Sequence, residues 1–343
     1  MRSIEPGNSR GIPFSLTSGF RVHRYAMPRN DAKKKAMADN DDIPFNRDFP
    51  LKPGVVEEAR PGVRRVLCDN PSPFTFTGTV SYIVGKGNVA IIDPGPDSEA
   101  HAKALLDAVS GETVTHIFVT HTHRDHSPNT ARIKAATGAP VYAEGPHRAS
   151  RPRFESEKHN PESGADRDFR PDIQVRDGDV IEGAGWRLEA VATPGHTANH
   201  LAFAWPERKI NFVGDHVMGW STSIVAPPDG SMIDYMASLD RLARRDEDLY
   251  FCGHGPEVPD AQRYVRFLER HRRAREASIL HRLAKGEADI PTMVRAIYIG
   301  IDPRLTTAAG YSVLAHLEDL VARGVVATDG DPVIGGTYRM AGA

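Results

Sequence analysis

The sequence predicts a mixed α/β fold followed by a small helical unit that closes with a β-hairpin. Three observations carry that prediction. Four apolar runs, each the length of one buried strand, stop at a polar loop that bears His or Asp. Beyond residue 260 the apolar residues fall at helical spacing. Near the end, two short β-prone runs flank the turn Thr328-Asp329-Gly330-Asp331.

Residues 1–45 carry Pro, Gly, Ser, Asn and the run Lys33-Lys34-Lys35 with little apolar periodicity, so a disordered leader is expected. Organellar transit peptides share an Arg- and Ser-containing, acid-poor composition, but a translation start at Met37 is the simpler explanation. A hydrolase domain over 46–260 and a second unit over 261–343 are expected to follow.

The first apolar run is Thr115-His116-Ile117-Phe118-Val119-Thr120, whose β-branched and aromatic residues suit a strand buried on both faces. The polar burst His121-Thr122-His123-Arg124-Asp125-His126 suits the loop at its end. Next, Arg187 to Ala192 leads into Thr193-Pro194-Gly195-His196-Thr197, where Pro and Gly turn the chain and release His196. Ile210-Asn211-Phe212-Val213 leads through Gly214 to Asp215, and Leu249-Tyr250-Phe251-Cys252 into Gly253-His254-Gly255-Pro256. Four strands ending in this way can gather their loops along one edge of a sheet.

His121, His123, Asp125, His126, His196, Asp215 and His254 are therefore candidate metal ligands. Imidazole and carboxylate suit Zn²⁺ and related divalent ions. His121 and His123 stand two apart and can face one ion from an extended chain, while Asp125 and His126 lie past a turn and can face another. A lone histidine is usually a structural or surface residue. Four ligand-type residues within six positions after a strand reverse that expectation, and the whole set is the signature of a two-metal hydrolytic centre.

After His254, Tyr264 to Leu280 forms a long helical pattern rich in Arg. Pro291 to Tyr298 and Thr307 to Arg323 follow, the latter with Val313, Leu314, Leu317, Leu320 and Val321 on one face. Gly324 closes that helix, Val325-Val326-Ala327 resumes as strand, and Thr337 to Met340 can pair with it. Three helices and a hairpin make a winged-helix pattern.

In order and spacing, the His121–His126 block, Pro194-Gly195-His196-Thr197, Gly214-Asp215 and Gly253-His254-Gly255 resemble the motifs of the metallo-β-lactamase superfamily. With the C-terminal pattern and Asp234 to Leu239, the chain is most similar to the β-lactamase-like protein 2 family. The resemblance implies an αββα sandwich with its metals where the two sheets meet, followed by a winged-helix domain. It implies two zinc ions, the first on His121, His123 and His196, the second on Asp125, His126 and His254, with Asp215 bridging. Manganese or iron would suit the same ligands. Asp93, in Ile91-Ile92-Asp93-Pro94-Gly95, matches the family's early Asp-x-Gly motif and is expected to fix the loop rather than bind metal. The di-iron oxygen-reducing branch carries a carboxylate where His123 stands, and secreted zinc lactamases commonly carry Cys where Asp215 stands, so neither activity is expected. The separation of Asp215 from His254 is too short for the extra domain of the nucleases that process messenger RNA ends.

The implied chemistry is hydrolysis by a hydroxide shared between two zinc ions about 3.5–4 Å apart. Asp125 and Asp215 are the candidate catalytic residues, Asp215 because it would face and orient that hydroxide. His200 is expected to pack under the loop, with donation to the developing oxyanion as the alternative. Single-stranded RNA is the substrate class the resemblance favours, with a small ester or thioester as the alternative. The family's characterised animal member is a mitochondrial endoribonuclease acting on single-stranded RNA, whereas glyoxalase II shares the same ligands and cleaves a thioester. A nucleic-acid-binding module with a vestigial metal site is disfavoured by retention of all seven residues. Phosphates could be met by Arg148, Arg151, Arg153 and Arg170, or by Arg263, Arg266, Arg270, Arg272, Arg273 and Arg275. Acidic residues interleave with both groups, and a net charge of −2 lacks the basic balance of many nucleic-acid binders. Cys68 and Cys252 form no CxxC pair, Cys252 is expected inside a strand, and a reducing, cytoplasmic setting is expected. No apolar run approaches a membrane span. The winged helix could pack between subunits of a homodimer.

Overall fold

The computed structural model describes residues 43–157, 164–286 and 288–342. The expected leader therefore lies outside the described residues except at its end, where Ile43 and Phe45 pack against a helical layer.

Two sheets form the centre of the fold. The first has seven strands in chain order: β1 (Val56–Arg60), β2 (Val63–Leu67), β3 (Val80–Lys86), β4 (Asn88–Ile92), β5 (Thr113–Phe118), β6 (Val141–Ala143) and β7 (Ile173–Gln174). Its first four strands run antiparallel and the rest join in parallel. The parallel joins need crossovers, which α1 (Glu99–Ala108) supplies between β4 and β5 and α2 (Thr130–Thr137) between β5 and β6. Ser98 starts α1 by accepting from the backbone N–H of His101.

The second sheet holds β8 (Val180–Gly183), β9 (Trp186–Ala192), β10 (Leu201–Trp205), β11 (Ile210–Gly214), β12 (Leu249–Cys252) and β13 (Val258–Pro259), in the order β13-β12-β11-β10-β9-β8. Its one parallel pair, β11 with β12, is bridged by α3 (Met232–Leu242).

Side-chain alternation sorts these strands into layers. Tyr82, Val84, Ala90, Ile92 and Phe118 of the first sheet meet Leu188, Phe203, Phe212 and Phe251 of the second in the central core. The alternate residues Ile83, Val89, Ile91 and Ile117 face outward onto Ala102, Leu105 and Ile133 of α1 and α2. Ala202, Val213, Tyr250 and Cys252 face the other way, onto Tyr235 and Leu239 of α3 and onto α4 (Ala261–Ala284). The result is the expected αββα sandwich, built from strands that are apolar on both faces. Cys252 is fully buried in β12, as expected.

After α4 come α5 (Ile290–Ile297), α6 (Thr306–Ala322) and the hairpin of β14 (Val326–Thr328) with β15 (Tyr338–Met340). Ile279 and Leu283 of α4 join Met293, Val313, Leu317 and Tyr338 in a separate core, while Tyr264, Val265 and Leu268 of the same helix belong to the sandwich. The expected division at residue 261 thus falls at the start of a helix shared by both cores. Among the described residues, no helix is long and apolar enough to cross a membrane.

The sheets converge at one edge. The N–H of Val80 donates to Gly253 O (2.8 Å), Leu201 N–H to Thr120 O (2.8 Å) and Gly253 N–H to Gly214 O (2.8 Å). These three bonds tie together the ends of β5, β11 and β12 and the starts of β3 and β10, which are the points where the candidate ligands emerge.

Candidate metal centre

All seven predicted residues come together at that edge, in two groups. His121, His123 and His196 form one, and Asp125, His126, Asp215 and His254 the other, each with its ligand-type atoms within 4.8 Å of one another. In the first group Nδ1 of His123 lies 3.1 Å from Nε2 of His121 and 3.0 Å from Nε2 of His196. In the second, Nε2 of His126 lies 3.3 Å from Nε2 of His254, which is 3.2 Å from Oδ2 of both Asp125 and Asp215. Asp215 stands between the groups, with Oδ2 3.7 Å from Nε2 of His196 and Oδ1 3.5 Å from Nε2 of His126.

The fit to metal is tested by the outward side of each imidazole. His196 Nδ1–H donates to Ile224 O (2.6 Å), His123 Nε2–H to Asp229 (3.2 Å), His126 Nδ1–H to Asp93 (3.0 Å) and His254 Nδ1–H to Gly78 O (3.2 Å). The hydroxyl of Thr120 donates to Asp93 (2.7 Å), which leaves its oxygen to accept from Nδ1–H of His121 (3.0 Å). Every ring is thereby held as the tautomer whose lone pair faces the cluster. The 3.0 and 3.1 Å separations of the His123 lone pair from those of His196 and His121 are close to the edge, about 3.3 Å, of a tetrahedron with metal–nitrogen bonds of about 2.0–2.1 Å. Asp215 Oδ1 is buried without a protein hydrogen-bond partner, which leaves it free for an ion or a water. The donor set fits two divalent ions.

Electrostatics separates His121 and His196 from the carboxylate-flanked rings, which include His123, raised against the effect of burial by its bond to Asp229. Burial and the neighbouring His126 and His123 push His121 well below its ordinary pKa, and burial lowers His196 to about 4. Burial also opposes charge on His126 and His254, yet Asp215 and Asp125 override it, holding His126 well above its usual value and His254 at about 9. In the absence of ions the carboxylate-rich group is a buried ion-pair network, and metal binding there displaces protons.

Further residues support the centre, and two of them, Asp229 and Ser223, escape sequence reading. Asp93 sits behind the cluster, as its motif suggested, accepting from Thr120 N–H (2.7 Å) as well as from the Thr120 hydroxyl and His126. Asp229, which holds His123, reads in sequence as an Asp-Gly turn ahead of the Ser231 cap of α3. Ser223 donates to the carbonyl oxygens of Asp215 and His216, and its own carbonyl accepts from the buried Arg272 of α4. A glycine at 253 is required, since a Cβ there would collide with Asp215 Oδ1. His200 lies beneath the cluster, bonded through Nδ1 to Thr193 (2.8 Å) and stacked on His121, with its Nε2 buried and without a protein partner.

The sequence profile of the metallo-beta-lactamase superfamily matches residues 74–254, which span all seven candidate ligands. The chain is a member of that superfamily. A second profile, the beta-lactamase associated winged helix domain, matches residues 290–336. Among curated relatives, the chain is 29% identical to the Beta-lactamase-like protein 2 homolog of Caenorhabditis elegans over 281 residues, 79% of this chain and 88% of the relative. It is also 29% identical to an Atrochrysone carboxyl ACP thioesterase of Claviceps purpurea (strain 20.1) over 236 residues, 67% of this chain and 68% of the relative. Among solved structures, the metallo-beta-lactamase family protein TTHA1429 from Thermus thermophilus superposes with a TM-score of 0.67 at 24% identity, covering 82% of this chain and 100% of that one. A beta-lactamase domain protein from Burkholderia ambifaria superposes at 0.68 and 20% identity, covering 86% and 97%. Both share the fold. Superfamily membership and the His/Asp cluster make this chain a metal-dependent hydrolase.

Proposed function

We propose that the chain hydrolyses the ester or thioester bond of a small acyl substrate, with His121, His123 and His196 holding one zinc ion and Asp125, His126 and His254 a second. When bound, the two ions supply Lewis acidity and lower the pKa of water toward neutrality. Asp215, between the groups and with one oxygen unpartnered, orients the attacking water. Asp125, beside His254 at 3.2 Å, is the second carboxylate at the reacting face. The imidazoles need no rearrangement, because Asp93, Asp229, Ile224 O and Gly78 O already fix them, and such preorganisation favours the transition state.

The observation that carries the acyl reading over a nucleic-acid one is that four of the ten candidate arginines are already engaged within the protein. Arg151 is bound to Glu157 (2.6 Å) and Glu318 (2.5 Å), and Arg148 to Glu144 (2.5 Å). Arg272 is buried, and Arg275 donates to Ile297 O (3.2 Å). Cations engaged in this way are poor partners for phosphates. Similarity to an ACP thioesterase over two thirds of the chain points the same way. The endoribonuclease reading is favoured instead by the winged helix and the likeness to a Beta-lactamase-like protein 2 homolog. A cytoplasmic setting is proposed from the two buried free thiols, Cys68 and Cys252.

The test gives zinc-loaded protein acyl N-acetylcysteamine thioesters and p-nitrophenyl esters in parallel with a labelled single-stranded RNA. The Asp215→Ala variant controls for contaminants. Acyl hydrolysis that disappears in the variant is the expected result. RNA cleavage without acyl hydrolysis replaces this reading with the ribonuclease one. Metal analysis of the protein as purified decides between zinc, manganese and iron.

A further inference from the structure

A cavity of about 860 Å³ lies between the sandwich and the winged helix. Phe74, Ile224 and Ala226 line it on the sandwich side, and Ile290, Val294 and Tyr311 on the other. Its volume is in the range of about 300–1,000 Å³ typical of small-molecule sites. Ile290 and Val294 also belong to the winged-helix core, so that wall is part of a packed framework. Arg295 and Arg304 also line the cavity, and Arg304 is held by Asp302 (2.7 Å).

Both sandwich-side wall segments are tied to the metal-facing histidines. Ile224 lines the cavity and its carbonyl accepts from His196. Asp229, five residues on in the same loop, holds His123. Phe74 belongs to the loop that leads to Gly78, whose carbonyl accepts from His254. The cavity therefore borders the centre through the backbone that orients histidines of both groups. The lining combines the aliphatic Ile224, Ala226, Ile290 and Val294 with the rings of Phe74 and Tyr311, and this mainly apolar surface suits a hydrocarbon body.

We infer that this cavity takes the apolar acyl group of the substrate while its carbonyl lies at the His/Asp centre, making the winged helix the specificity wall of the hydrolase. The inference rests on the acyl-hydrolysis reading above. It deepens that reading by naming the substrate class: medium- to long-chain or similarly bulky apolar acyl esters and thioesters in preference to acetyl ones.

Gly310 of α6 allows a direct test. A Cβ there meets only Ile290 Cγ2 (3.7 Å) and Ile334 Cδ1 (3.8 Å), both ordinary contacts, so a larger side chain can grow from the helix into the cavity. The experiment measures kcat/KM for acetyl, butyryl, hexanoyl, octanoyl and decanoyl thioesters with the full-length, metal-loaded protein. It also measures binding of a dansylated undecanoic acid to the metal-free protein. Each methylene that enters the cavity is expected to raise kcat/KM about fourfold, the ratio that ~0.8 kcal/mol per buried CH₂ gives. Gly310→Phe is expected to lower the decanoyl-to-acetyl ratio at least tenfold and to abolish probe binding. Ala308→Phe, on a half-buried lining residue, repeats the test if the first variant folds poorly. A flat chain-length profile, or variants that leave the ratio and the probe unchanged, overturns the cavity assignment while acyl hydrolysis stands. Probe binding lost in both variants, with no ester or thioester cleaved, supports the cavity and rejects the hydrolysis reading alone.

Discussion

The ligand imidazoles of the sheet edge and the polar side chains buried where α4 meets α6 differ in how their nitrogens are bonded. At the edge, all five imidazoles have their outward nitrogen bonded to a protein acceptor. At the junction, both ring nitrogens of His316, Nδ1 of His271 and Nε of Arg272 are buried with no protein partner. Satisfied buried polar groups hold one geometry, and unsatisfied ones lower stability by about 1–3 kcal/mol each. Satisfaction at the edge is confined to the ligand rings, because behind them Nε2 of His200 and both ring nitrogens of His216 are also buried without a protein partner; positional accuracy is concentrated in the ligand rings themselves. The junction is held instead by apolar packing and by Arg272, which lies over the Tyr235 ring and donates to Ser223 O.

The largest effect that sharpens this contrast comes from the ligands. Asp215→Ala or His123→Ala is expected to remove activity on any substrate and to lower bound metal below two ions per chain, with urea unfolding still cooperative. Metal analysis and a denaturation curve check both halves of the statement. Near-normal turnover in either variant would show that the edge is not the reacting centre. Gly253→Ala should come next. Its methyl group would overlap Asp215 Oδ1 and stand 2.7 Å from Cε1 of His126, so the carboxylate must shift. A misplacement of about 1 Å lowers rates about 100-fold, and kcat/KM on the preferred substrate measures it. Asp229→Asn keeps the shape but weakens the bond that orients His123, and a fall of about 10–100-fold in metal affinity is expected, read by chelator competition. An unchanged affinity would mean that the outward bonds contribute nothing to the centre.

How far these features were legible in the sequence follows from how far apart their parts lie. The seven ligand positions could be read because each follows directly on an apolar strand, and few residue types can bind such ions. The four-layer sandwich was legible only through family resemblance, since strands apolar on both faces do not say which helices cover them. Asp229 was hidden because its partner, His123, lies 106 positions away and its local sequence is that of a turn. Arg272 was hidden inside the run Arg270-His271-Arg272-Arg273, which reads as a solvated helix face, yet its side chain is 2% exposed. The cavity was illegible for the same reason at larger scale: its walls come from residues near 74, 224, 290 and 310, joined only by tertiary packing.

The smallest expected effect tests the junction side of the comparison. Burial, together with the cationic neighbours Arg272, His271, Arg323 and Arg275, lowers His316 to about 3 from an ordinary 6.5. The unfolded chain therefore takes up that proton first. Stability from keeping His316 neutral is complete above pH 6.5 and is lost as pH falls toward 3. His271 and His216, each lowered to about 3 chiefly by burial, and His101, lowered to about 4 by burial, act with the same sign. His316→Leu removes one of these groups and two buried, unpartnered nitrogens. It should leave stability at pH 7 equal or higher and reduce its slope against pH by about 1.4 kcal/mol per unit in that window. Urea unfolding at intervals between pH 7 and pH 4 measures both numbers. A variant whose slope matches that of the parent protein would mean that the junction accommodates the proton, and the contrast with the sheet edge would then be one of geometry without an energetic counterpart.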